Sequence, residues 1–175
     1  MKKNLHLLSI LAMLFTGFIS GCQKSDKKDP CEELISEAAP TYIFVKVVDK
    51  QTGANILASN DLTSNEVKVT VGQTTEQLAP QNWRITTHPS TSPYHRVLQF
   101  LALPAGEGEY IRKIKVVSFG EFTLNYKVSK KTNTSDSPCS SPYYYSVSDV
   151  SITDHPFELL KIQDQILPNF LVIAL

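Results

Sequence analysis

No charge of one sign dominates this chain of 175 residues, in which 17 Lys and Arg stand against 17 Asp and Glu. That balance removes the electrostatic argument for a nucleic-acid partner, which a basic face would supply. A long apolar run is missing as well. Residues 5–19 (LHLLSILAMLFTGFI) carry no charge but fall short of the roughly 20 apolar residues that a spanning helix needs. Tryptophan occurs once, as Trp83, which argues against a dedicated platform for stacking sugars. The sequence has no phosphate-cradling glycine run and no Asp-rich calcium loop. His88, His95 and His155 have no second His or Cys at ligand spacing, whereas zinc needs three or four convergent ligands. Turn or loop roles are expected of them, and neither metal nor cofactor is expected.

What is present starts at the N-terminus. Lys2 and Lys3 precede the apolar run, and Ile19, Ser20, Gly21 and Cys22 follow it. A basic start, a short apolar stretch and small residues form an export signal. The four residues resemble the lipobox of bacterial lipoproteins. That resemblance implies a signal peptide over 1–21, cleavage before Cys22, and a diacylglycerol on the Cys22 thiol. The mature chain would keep 154 residues, enough for one domain, with 15 basic and 17 acidic groups. Residues 22–29 (CQKSDKKD) read as a solvated tether. Asp29 as cap, Pro30 at the first helical position and Glu32 predict a short helix that Pro40 closes. Gln23 is not the aspartate associated with inner-membrane retention, and 23–28 has no acidic cluster. An outer-membrane, lipid-anchored protein on the periplasmic face is therefore expected. Export also puts Cys31 and Cys139 where disulfides persist. A bridge between them is one expectation; one buried and one exposed thiol is the other.

From residue 41 the apolar period becomes two, the mark of half-buried strands. Residues 42–48 place Ile43, Val45 and Val47 on one face, and the opposite face is largely apolar too. Val67, Val69 and Val71 alternate with Glu66, Lys68 and Thr70. Strands are also predicted over 83–87, 96–103, 109–119, 122–128, 143–152 and 170–175, with a turn over 104–108 and a polar loop over 130–142. Pro156 and Pro168 favour a short helix between them, although alternation of Glu158, Leu160 and Ile162 speaks for a strand. Seven or eight strands with little helix predict a mainly β, antiparallel two-sheet sandwich over 41–175.

The run Val45 to Gly53 (VKVVDKQTG) resembles the first strand and turn of transthyretin-like or carboxypeptidase-regulatory-like sandwich modules. Asp49 is expected to close that turn with its side chain, and Gly53 to take positive φ. The VKVTV strand at 67–71, the late Cys139 and the Tyr-rich strand after it make the whole similar to small single-domain lipoproteins of Bacteroidetes. The resemblance brings no catalytic residues. In immunoglobulin-like sandwiches the first and last strands often run side by side and parallel, and this favours the Cys31–Cys139 bridge.

Ser148, Asp149, Asp154 and His155 are near neighbours in sequence, but a catalytic triad is a spatial arrangement and no nucleophile elbow is present. Glu107 and Glu109 flank a turn glycine and read as solubilising. Tyr143, Tyr144 and Tyr145 must alternate faces in a strand, so an exposed tyrosine beside Trp83 or Tyr94 is a candidate binding surface. The chain thus reads as a non-catalytic, lipid-anchored envelope protein with a binding, scaffold or structural sandwich, its partner an envelope protein or a glycan. The alternative is a pilus or adhesin component whose terminal FLVIAL strand completes a neighbour's sheet.

Overall fold

The computed structural model describes residues 41–72, 78–102, 106–134 and 142–175. Cys22, Cys31, Cys139, the tether and the helix expected after Asp29 lie outside the described residues.

Among the described residues nine strands form two sheets. The first sheet has the order β3-β4-β1-β9-β8, from β1 (Tyr42–Val48), β3 (Trp83–Thr87), β4 (His95–Leu101), β8 (Phe157–Ile162) and β9 (Gln165–Ala174). The second has the order β2-β5-β6-β7, from β2 (Val67–Val71), β5 (Gly108–Val116), β6 (Gly120–Thr132) and β7 (Tyr143–Ile152). The expected sandwich class holds, with nine strands in place of seven or eight. Every ladder is antiparallel except β1 with β9, which run parallel from Phe44↔Phe170 to Val48↔Ala174.

Alternation dictates which faces meet. Ile43, Val45 and Val47 of β1 and Leu171 and Ile173 of β9 are buried against Val67, Val69, Ile114, Val116, Phe122 and Leu124 of the facing sheet. Each such side chain contributes about 1.5–3 kcal/mol on leaving water. The first sheet also buries apolar groups on its far face. Phe170 is 1% exposed, stacked on Phe44 at 5.7 Å and covered by the Tyr94 ring at 5.3 Å. This second layer explains why β1 reads as largely apolar on both faces.

Three boundaries depart from expectation. The stretch 154–167 is no helix: Gln163 and Asp164, both at positive φ, make a two-residue turn between β8 and β9. Pro168 is tolerated inside β9 because it precedes the first residue paired with β1 and falls at the irregularity in the β8 register. The strand predicted over 109–119 ends at Val116, and β6 runs on to Thr132, shortening the expected polar loop. A four-residue helix, α1 (Ile56–Ser59), was not foreseen; Asn55 caps it by accepting from the Leu57 and Ala58 amides. The strand parallel to β1 is β9, whereas Cys139 leads into β7 of the other sheet. Strand adjacency therefore gives no support to the expected bridge.

Candidate functional site

The sandwich is open where the edge strands β2 and β3 face each other. A cleft of about 590 Å³ lies there, floored by Val67, Val69, Leu78, Ile85 and Trp83, and rimmed by Thr63, Asn65, Arg84 and Arg96. A second hollow of about 250 Å³ shares Trp83 and Arg84 and reaches Tyr42 and Gln99. Trp83 and Arg84 are consecutive on a strand, so Trp83 faces the floor and Arg84 the far face of the sheet, beside Gln99. The first hollow lies along the edge of β3, and the second spreads from β3 over β4 to β1.

The rim is held in place by fixed contacts. Arg84 Nε donates to Gln99 Oε1 at 2.6 Å, and Gln99 is itself buried. Arg96 Nη2 donates to the Leu57 carbonyl at 3.2 Å, the Leu62 carbonyl at 2.5 Å and Asp61 Oδ1 at 3.1 Å. Thr63 and Glu66 form a capping box around the 3-10 turn Ser64–Glu66. The Thr63 hydroxyl and amide, by donating to the Glu66 carboxylate, hold its pKa below the usual range. Side chains fixed before a ligand arrives lose little freedom on binding it.

The three expected surface aromatics are not brought together. Trp83 lines the cleft, half-buried. Tyr94 is used in packing, edge-on to Phe44 at 4.9 Å and against Phe170. Tyr144, 45% exposed, stands on β7, at the far edge of the second sheet from β2. Tyr143 lies under the Lys130 ammonium at 3.7 Å, and Tyr145 packs on the core.

Ser148, Asp149, Asp154 and His155 form separate local contacts. Ser148 Oγ donates to Asp149 Oδ2, His155 Nε2 to the Glu121 carbonyl, and Asp154 accepts from the Thr123 amide and hydroxyl. Glu107 Oε1 accepts from the Lys130 amide and ties its turn to β6. His95 Nδ1 donates to the His88 carbonyl at 2.6 Å. Among the described residues no three His, Cys, Asp or Glu side chains converge as metal ligands, and no helix is long and apolar enough to cross a membrane. The terminal strand FLVIAL pairs within its own sheet, between β1 and β8.

The arginines were missed by sequence reasoning. Arg84 and Arg96 carry no periodic signal, because their roles depend on loops that fold over from α1 and on the β3–β4 pairing. Arg112 did leave one: it occupies the inward phase of Tyr110, Arg112, Ile114 and Val116.

No protein-family model, curated protein or solved structure matches the chain.

Proposed function

We propose that this is a lipid-anchored envelope protein whose sandwich binds a partner through the β2/β3 cleft and performs no catalysis. The observation that carries the binding role is the pre-set rim: Arg96, fixed by three hydrogen bonds, beside an apolar floor that includes Trp83. A concave site with apolar walls and a few polar groups fixed in position is the usual form of a ligand site. The anchor rests on the sequence, where Cys22 follows Ile19, Ser20 and Gly21. Gln23 supports the outer membrane as its destination, and the lack of acidic residues clustered after it supports the periplasmic face. The partner class for such a cleft is an envelope protein or a glycan.

Two measurements test the reading. Cys22→Ser is expected to move the protein from the membrane fraction to the soluble one; a variant as firmly bound as the parent overturns the anchor. A photo-crosslinking side chain at Arg84 is expected to trap an envelope component that one at Ile166 does not, with capture lost in Trp83→Ala. Equal capture at both positions, or none at Arg84, overturns the cleft as the binding surface.

A further inference from the structure

Arg112 lies on the core side of β5 and is 4% exposed. A guanidinium so placed normally meets a carboxylate. Here its protein acceptor among the described residues is the Ile111 carbonyl at 3.3 Å, and its other contacts are the faces of Tyr110 and Tyr126, at 5.2 and 5.9 Å. The two rings stack on each other at 5.1 Å. Most of the five N–H donors of the fork thus lack a protein acceptor. Beside them the Tyr126 hydroxyl is buried without a hydrogen-bond partner. Burial pushes the pKa of that hydroxyl up, against the pull of Arg112, so it stays a donor at neutral pH.

Donors of two kinds, both buried and converging, call for one acceptor-rich anion. We propose that Arg112, Tyr126 and Tyr110 form a binding site for the carboxylate of a small organic acid. The charge count selects a monoanion. The nearest lysines on these strands, Lys113, Lys115 and Lys127, are exposed on the opposite face, so no second cation meets the second charge of a phosphate. The planar fork also matches a carboxylate through two parallel hydrogen bonds. Val71 and Leu124 flank Arg112 in the ladder, so with the tyrosine rings the surroundings of the guanidinium are apolar. Tyr110 is only half-buried, and its hydroxyl donates to the Gly106 carbonyl at 2.7 Å, so the cluster meets solvent beside the Gly106–Gly108 turn. This site is separate from the β2/β3 cleft and does not rest on it.

Calorimetric titration of the full chain in detergent micelles with propionate tests the proposal, with propionamide and inorganic phosphate as controls. Propionate is expected to bind and to raise the melting temperature, propionamide to do neither, and phosphate to bind more weakly. Arg112→Met is expected to weaken propionate binding at least about tenfold, the scale of a lost hydrogen bond to a charged group. Should Arg112→Met fail to fold, Tyr126→Phe decides, since it removes one donor and keeps the ring. Equal responses to propionate and propionamide, no response in the parent, or full binding in the folded Arg112→Met protein would each overturn the site and leave Arg112 a purely structural cation.

Discussion

Arg96 and Asp61 face each other at 3.1 Å, and both hold the left-handed backbone conformation, with φ of 52° and 46°. Aspartate adopts it more readily than most residues, and arginine does not. The pair is nevertheless unequal. The Asp61 side chain is 97% exposed and that of Arg96 only 18%, so the value of the contact lies in what else Arg96 holds.

Arg96→Met removes the donor to the Leu57 and Leu62 carbonyls; the Leu57 carbonyl keeps the Leu62 amide, and the Leu62 carbonyl loses its donor. A loss of about 2–3 kcal/mol in unfolding free energy is expected, read by denaturant titration. Asp61→Asn is expected to leave stability close to the parent's, because an exposed ion pair contributes little. A larger loss from Asp61→Asn than from Arg96→Met would reverse this assignment.

Gly53 sits at φ 70° with open space where a Cβ would project. Gly53→Ala meets no clash, so its cost is purely conformational, about 1–2 kcal/mol. Thermal unfolding of this variant isolates that cost.

Three carboxylates set the acid limb. Hydrogen bonds from Thr52 lower the pKa of Asp49, and those from Thr63 lower that of Glu66. For Asp154 burial works upward, and the Thr123 amide and hydroxyl more than offset it. All three folded values lie below the unfolded ones, so the unfolded chain binds more protons over the interval between. Their contribution is complete above the ordinary carboxylate range, about pH 4, and is lost as pH falls through the folded values. The combined Asp49→Asn, Glu66→Gln, Asp154→Asn protein should show a shallower decline of melting temperature between pH 5 and pH 2 than the parent. Parallel declines would show that other groups control acid unfolding.

Removing residues 170–175 takes Phe170, Leu171 and Ile173 from between β1 and β8. The shortened chain is expected to lose its cooperative thermal transition. The milder Leu171→Ala, at a side chain with no exposure, should cost about 2–5 kcal/mol. A stable, folded truncation would release this strand for the adhesin-type role.

Elements whose cause is local were legible in the sequence. Asp49 Oδ1 accepts from the Gln51 and Thr52 amides and the Thr52 hydroxyl, and Gly53 takes positive φ, as VVDKQTG implies. Trp83–Thr87 forms the strand its alternation predicts. Failures arose where distant pairing decides. The region 154–167 carries both periods, and only its partner β9 resolves them in favour of strand. Thr63 to Glu66 spelled a capping signature that was overlooked among polar neighbours. The cleft was not legible, since its walls come from β2, β3 and β4, brought together by the sheet order. Trp83 was named as a surface residue, but the company it keeps there could not be read from spacing.

Among the described residues the last strand, β9, occupies an interior place beside the first one. Until β9 emerges, β1 has only β4 to pair with, and β8 has no neighbour at all. Co-translational maturation of that half of the molecule is therefore blocked by connectivity, and closure awaits a contact spanning most of the polypeptide. Any product that stops short of β9 leaves β1 and β8 without their shared partner and open to proteolysis.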